Sequence, residues 1–193
     1  MGKRLAVMGL VLWASLAGAA DVQSVKLPDR VRFAENGSEL IINGAGVRKR
    51  VFVSVYVGAL YLPRKTPSAE AILSADASPR RLALHILRDE ITAEQLLGSF
   101  REGFEANNPP ADLAAVSTGL RQLDAIFSAA RVVKRGDLIL FDYLPESGTK
   151  VTLGNEVRGT IPGAEFNRAL MKIWLGAKPV DPELKKALLG GAS

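Results

Sequence analysis

The run LIINGAGVRKRVFVSVYVGALYL, from Leu40 to Leu62, constrains the fold more than any other part of the chain. It opens with an apolar segment and reaches an Asn43-Gly44 pair, which predicts a turn. From Val51 to Leu62 it continues as twelve residues dominated by Val, Phe, Tyr and Leu. A β-branched and aromatic run of this length is typical of a buried strand. The sequence therefore predicts a central strand pair, Glu39 to Asn43 and Val51 to Leu62.

Two side chains in this run could bind a ligand. Arg48 and Tyr56 are eight residues apart, so in an unbulged strand they lie on one face. A cation and a phenol on the same apolar wall could hold an acidic or carbonyl-bearing lipophile. The alternative is that Arg48 is a solvated strand-end residue and Tyr56 a core aromatic. Arg50 has the same parity as Arg48 and competes for the same role.

The first nineteen residues have the pattern of a signal peptide. Lys3 and Arg4 precede an apolar stretch from Leu5 to Leu16, and Ala17-Gly18-Ala19 offers a small-residue cleavage site. The stretch is shorter than the ~20 residues that span a bilayer. We expect residues 1–19 to be cleaved, residues 20–193 to form a single domain in the periplasm or outside the cell, and no stable membrane span to remain. The alternative is an uncleaved N-terminal anchor.

Composition excludes several classes of function. Without Lys3 and Arg4, 23 basic residues face 20 acidic ones, and the basic residues are dispersed, which argues against nucleic-acid binding. The chain has one histidine and no cysteine, so a His/Cys metal cluster is impossible. A Ser-His-Asp triad would have to use His85, which lies in an apolar strand and is typical of a structural histidine. We expect a monomer without a metal or cofactor.

The order of the remaining elements indicates an α+β fold with a mostly antiparallel sheet. Strands come first, then helices, then three more strands and two final helices. A capping box at Thr92 and Gln95 begins the first long helix. Expected strands are 22–27, 31–33, 81–88, 137–144, 150–153 and 156–160, and expected helices are 68–73, 92–106, 110–130, 164–175 and 182–189.

Two strings resemble the chalcone isomerase superfamily. GAGVR followed by VYVGALYL is similar to its paired strands, and GTIPGAEFNRALMKIWLGAKPVDPELKKALLG is similar to the end of its bacterial, exported branch. The likeness spans about Val25 to Gly190. It implies a chalcone-isomerase-like open-faced β-sandwich, in which helices cover one face of the sheet.

The resemblance also implies roles for particular residues. Arg48 occupies the place of the arginine that stabilises charge on the substrate oxygen in the isomerases. Tyr56 replaces the enzymes' strand threonine, as in the fatty-acid-binding members, and Ile173, next to Trp174, replaces another threonine. The enzymes' helix-region tyrosine has no counterpart between Thr92 and Val133, although Asn107 and Asn108 are nearby.

Three functions remain open at this point. The first is an exported, non-catalytic protein that binds a lipophilic carboxylate such as a fatty acid. Its ligand-binding residues are Arg48, Tyr56, Asn107, Asn108, Ile173 and Trp174. The second is an intramolecular lyase of the chalcone isomerase type. The third is a structural or partner-binding protein of the cell envelope, which a filled core beside Arg48 would favour.

Overall fold

The computed structural model describes residues 19–191, so the predicted signal peptide lies almost entirely outside the described residues. Within this range the expected strands and helices follow the predicted order, with two further short strands, at 90–92 and 132–134, that were not expected. The strands are β1 (Ala19–Val22), β2 (Val25–Pro28), β3 (Arg30–Arg32), β4 (Glu39–Arg50), β5 (Val53–Leu62), β6 (Arg80–Ile86), β7 (Glu90–Thr92), β8 (Val132–Lys134), β9 (Leu138–Leu144), β10 (Gly148–Leu153) and β11 (Glu156–Ile161). The helices are α1 (Ala69–Leu73), α2 (Ala93–Asn107), α3 (Pro110–Ala115), α4 (Ser117–Ala130), α5 (Ala164–Leu175) and α6 (Pro182–Leu188).

A seven-stranded sheet in the order β11-β10-β9-β6-β5-β4-β3 organises the molecule. Each neighbouring pair in it is antiparallel, which confirms the α+β class. Two ribbons, β1–β2 and β7–β8, lie outside this sheet. The first ribbon corrects the single strand expected from Val22 to Leu27. The chain reverses there at Gln23 and Ser24, both at positive φ, as in a type I′ turn.

The predicted turn at Asn43-Gly44 is wrong. Strand β4 runs through it, with only a register shift against β5 between Ile42 and Gly44. The Asn43 side chain is buried and donates to the carbonyl oxygens of Thr66 and Leu188 at 3.1 and 2.8 Å. Asn43 thus joins β4 to the loop after β5 and to the end of α6. The Asn-Gly pair is typical of a turn in sequence, but here its asparagine makes tertiary contacts from within a strand.

Helices cover one face of the sheet, as expected. The capping box at Thr92 and Gln95 is present at the start of α2. The second predicted helix is divided at Val116 into α3 and α4. Its apolar stripe is buried at Val116, Leu123 and Phe127, whereas Leu113 and Leu120 are only half-buried. On the other face of the sheet, the β1–β2 ribbon and the loop after β3 cover a smaller apolar cluster formed around Leu27, Phe33, Leu40 and Tyr61.

Three glycines allow α6 to approach β4 and β5 closely. A Cβ atom on Gly44 would lie 2.8 Å from the Leu188 carbonyl oxygen, and one on Gly46 would lie 2.6 Å from the Ala187 Cβ. A Cβ on Gly58 would meet Leu184 at 3.3 Å. The glycines of the GAG string therefore serve helix packing rather than a tight turn.

No helix within residues 19–191 is long and apolar enough to cross a membrane.

Candidate functional site

Arg48 and Tyr56 face each other across β4 and β5. They are direct cross-strand partners, because the chain reverses between them at Val51 and Phe52. The guanidinium carbon of Arg48 lies over the Tyr56 ring, 5.5 Å from its centroid, within the range of a cation–π interaction. Arg48 and Tyr56 thus share a face, as expected, but as partners on two paired strands and not as residues of one continuous strand.

The Arg48 guanidinium keeps unused hydrogen-bonding capacity. One terminal nitrogen donates to the Ser99 hydroxyl of α2 at 3.1 Å. Its Nε is buried and has no hydrogen-bond partner among the described residues. An arginine carries five N–H donors in a planar fork. Arg48 is half-buried, whereas Arg50 is exposed, so Arg48 is the arginine that lies inside the fold.

The Tyr56 hydroxyl is engaged by the core. It accepts a hydrogen bond from the Trp174 indole Nε1 at 2.7 Å, and Tyr56 is 2% exposed. Burial raises the pKa of the Tyr56 phenol, and the Arg48 cation partly opposes that rise. The side chain is therefore a neutral phenol at physiological pH. Trp174 also packs against Phe100 and Phe141, with ring centroids 6.1 Å away in each case.

Ile173 belongs to the same packed layer. It is 1% exposed, and its side chain fills the space beside Gly103 on α2, where an added Cβ would come within 2.8 Å of it. Ile173 and Trp174 thus occupy the core between α2, α5 and the sheet.

Asn107 and Asn108 lie apart from Arg48 and brace the helices. Asn107 donates to the Gly103 and Lys178 carbonyl oxygens at 3.0 and 2.7 Å, and its own oxygen accepts from the Lys178 amide at 2.8 Å. Asn108 donates to the Phe104 carbonyl at 3.0 Å, and its buried side-chain oxygen has no partner within residues 19–191. Neither asparagine lines the cavity that lies beside Arg48, which is described next.

A cavity of about 120 Å³ lies beside Arg48, between the ends of β4 and β5 and helix α2. Val55, Tyr56, Ile91 and Leu96 form its apolar wall; Arg48, Arg50, Arg88, Glu90, Gln95 and Ser99 supply the polar groups. Three arginines thus surround one carboxylate. None of the four takes part in an ion pair formed by the described residues. The cavity is therefore electropositive and suited to an anion.

The sequence reasoning missed Arg88 and Ser99. Strand pairing places Ile86 opposite Tyr56, and Arg88 follows two residues later with the same parity. Ser99 lies one residue before the buried Phe100, on the side of α2 that meets β4. Parity in an assumed strand pair would have pointed to Arg88. Ser99 carries no comparable signal, because a serine on a helix is commonplace.

His85 lies away from the Arg48 cavity. His85 pairs with Val57, and Val57 belongs to the apolar cluster on the opposite face of the sheet from Tyr56. Burial lowers the pKa of His85. In the described part of the chain, no group of three or more His, Cys, Asp or Glu side chains is placed to hold a metal ion.

Comparisons with known proteins agree on the fold. The profile of the family described as chalcone isomerase-like matches residues 19–190. The crystal structure of a fatty-acid binding protein from Arabidopsis thaliana superposes with a TM-score of 0.60 at 14% identity, covering 83% of this chain and 95% of that one. No protein of curated function matches the sequence.

Proposed function

The chain belongs to the chalcone isomerase-like family, and on that premise we propose that it binds a small lipophilic carboxylate without transforming it. The carboxylate lies against Arg48 in the cavity between the β4–β5 hairpin and α2, and the apolar body lies against Val55, Ile91 and Leu96. The family match and the fold shared with a plant fatty-acid binding protein support a binding role of this kind.

The observation that carries the proposal is the state of the Arg48 guanidinium. The guanidinium is positioned by the Tyr56 ring and by a hydrogen bond to Ser99. It forms no ion pair with a carboxylate of the described residues. A planar guanidinium in a partly desolvated site binds a carboxylate bidentately and more strongly than a lysine would. Arg50 and Arg88 at the mouth add attraction at longer range.

One larger cavity is less suitable because its cations are already engaged. A depression of about 580 Å³ between α1, α5 and α6 is lined by Arg168, Lys172 and Lys185. Arg168 pairs with Asp76, Lys172 lies 3.8 Å from Asp112, and Lys185 donates to a carbonyl oxygen of the α5 C-cap at 2.8 Å. An anion there would have to displace existing partners.

The volume of the Arg48 cavity limits how much of a ligand it can enclose. A cavity of roughly 150 Å³ holds a molecule the size of benzene, and the Arg48 cavity measures about 120 Å³. It encloses a carboxylate and a few carbon atoms. A longer acyl chain must either leave through the mouth or displace Trp174, whose hydrogen bond to Tyr56 closes the core behind the site. We therefore propose that short acids are bound almost as well as long ones.

Isothermal titration calorimetry with hexanoate and palmitate tests the proposal. Arg48→Gln should weaken hexanoate binding at least tenfold, because it removes the half-buried cation. Arg50→Gln is the matched control and should cost only a few-fold, because an exposed charge is screened. Equal losses in the two variants, or no heat with either acid, would refute a site at Arg48.

The isomerase alternative has less support. Asn107, Asn108 and Ile173, the positions that the family resemblance relates to the enzymes' substrate contacts, do not line the cavity. We expect hydroxychalcone to cyclise no faster with the protein than without it, followed by absorbance. Turnover that disappears in Arg48→Gln would overturn the non-catalytic proposal.

A partner-binding protein of the cell envelope is the second candidate, and the filled core favours it. Trp174, Phe100 and Phe141 occupy the space behind Tyr56, where an enclosed ligand tail would otherwise lie. Under this reading neither acid binds, and Arg48 serves only to join β4 to α2 through Ser99.

Export and a monomeric state complete the proposal. Strand β1 begins at Ala19, the last residue of the expected leader, and pairs with β2 from its first residue. Cleavage after Ala19 would therefore leave the domain nearly whole. Intact-mass measurement of protein from a periplasmic fraction should give a chain that begins at Ala20, and light scattering should give one copy. A mass that retains residues 1–19 would contradict export with cleavage.

A further inference from the structure

The turn between β4 and β5 presents an apolar tip to solvent. Val51, Phe52 and Val53 are 81%, 96% and 46% exposed. Among the described residues, Val157 on β11 is the other strongly exposed large apolar side chain, at 56%. Isolated exposed apolar residues need no explanation, whereas three in succession at a convex tip indicate an interaction site.

The backbone of the tip is strained at an apolar residue, Val51. Arg50 pairs with Val53, so the loop consists of Val51 and Phe52. Val51 has a φ of 59°, a region that β-branched residues rarely adopt. A positive φ at the first loop residue is the pattern of a type II′ turn, where glycine is preferred. Strain of this kind persists where function requires the residue.

Basic side chains flank the tip. Lys49 and Arg50 immediately precede Val51, and Arg48 and Arg88 line the adjoining cavity. Two acidic groups lie nearby: Glu90, which lines the cavity, and Asp181, which accepts from the Lys49 amide at 3.0 Å and also caps α6. The two residues that directly precede the tip are both cationic.

We propose that this tip, Val51 to Val53 with Lys49 and Arg50, docks into the surface of an anionic phospholipid bilayer. Phe52 enters the boundary between headgroups and acyl chains, and the flanking cations contact lipid phosphates, the combination by which amphipathic segments bind such surfaces.

A bilayer fits this tip better than a protein partner. A stable protein interface buries about 800 Å² on each side, and three exposed side chains on a narrow hairpin cannot supply that. Insertion into a lipid surface requires only an apolar tip and nearby positive charge. Arg50 and Val55 also line the Arg48 cavity, so its mouth would open beside the lipid surface. That last consequence rests on the proposed function; docking itself does not.

Vesicle co-sedimentation tests docking without any carboxylate ligand. Vesicles of phosphatidylcholine alone are compared with vesicles that also contain phosphatidylglycerol, at low and high salt. The apolar stretch from Leu5 to Leu16 would itself bind lipid if it were retained. The parent protein and all variants are therefore compared with the same N-terminus, so that this stretch is either present in all of them or absent from all of them.

Phe52→Ser should weaken binding to the anionic vesicles about tenfold, because it removes most of the inserted apolar area. Arg50→Gln should weaken it about fivefold, and high salt should do the same to the parent protein. Val157→Ser is the matched control for exposed apolar area and should bind as the parent does. Val51→Gly should raise thermal stability by relieving the positive φ, yet bind vesicles less well.

Three results would overturn docking. One is binding that Phe52→Ser and Val157→Ser reduce equally. Another is equal binding to neutral and anionic vesicles. The third is a dimer in solution that Phe52→Ser dissociates, because the tip would then be an interface between two copies. Loss of vesicle binding with hexanoate binding intact separates failure at the tip from failure of the Arg48 site.

Discussion

Gly44→Ala should detach helix α6 from the sheet. The new Cβ would lie 2.8 Å from the Leu188 carbonyl oxygen and 2.9 Å from the Gly190 amide nitrogen, and closer still to the Ala187 carbonyl oxygen. All three are backbone atoms, so no side-chain rotation relieves the clash. Either β4 or the whole of α6 must move.

The cost can be bounded from the structure. Overpacking that the backbone can absorb costs about 1–3 kcal/mol. If α6 separates instead, Leu184 and Leu188, both at most 1% exposed, return to water. Burial of one such side chain is worth about 1.5–3 kcal/mol, so their loss costs about 3–6 kcal/mol. The free energy of unfolding should therefore fall by about 1–6 kcal/mol, which for a domain of this size lowers Tm on the order of 10 °C.

Gly98→Ala is the matched control. Gly98 lies within α2, and a Cβ there would meet no atom within 4 Å. Alanine in a helix interior is favoured over glycine by about 1 kcal/mol, so Tm should rise by about 2–4 °C. Urea unfolding gives both free energies. If Gly44→Ala unfolds at the same urea concentration as the parent protein, the close packing of α6 on β4 is wrong.

Three further predictions concern stability. Arg81→Met should cost about 3 kcal/mol in urea unfolding, because Asp142 is 2% exposed in its side chain and would lose its bidentate partner; a loss below 1 kcal/mol would contradict a buried pair. Leu123→Asp should destabilise far more than Leu120→Asp, because Leu123 is fully buried and Leu120 half-buried; equal midpoints would contradict this difference. Burial lowers the pKa of His85, so the unfolded chain binds more protons below about pH 6.5 and stability falls as pH falls. His85→Gln should lessen this decline, and an unchanged pH profile would refute it.

Strand and helix identity could be predicted where apolar periodicity was strong. The run ending at Leu62 is a long buried strand, and the capping box at Thr92 begins a helix, as expected. The turn could not be placed, because Asn43-Gly44 has the composition of a hairpin turn while Val51-Phe52 does not. Side-chain bonds from Asn43 to Thr66 and α6 decide the matter, and those are tertiary contacts invisible in local sequence.

The candidate site was predictable only in part, for a related reason. Arg48 and Tyr56 were identified from parity, and the hairpin does bring them together. Trp174 reaches Tyr56 from a helix 118 residues away along the chain, and its indole N–H donates to the Tyr56 hydroxyl oxygen, a contact that local sequence does not show. Asn107 and Asn108 were suggested by the family resemblance, and their side-chain amides donate to backbone carbonyls at the ends of helices.

The GAGVR string therefore carries fold information more securely than functional information. Gly44 and Gly46 are required by the approach of α6, whatever the protein binds, since any Cβ there would meet the helix. In that string Arg48 is the residue whose side chain can still bind a ligand. Its guanidinium contacts the Tyr56 ring and the Ser99 hydroxyl but has no carboxylate partner among the described residues. Chains that share the glycines should share the helix-covered sheet. Whether they bind, catalyse or do neither depends on what surrounds the arginine, which here is an apolar wall of Val55, Ile91 and Leu96 and a polar side that includes Glu90.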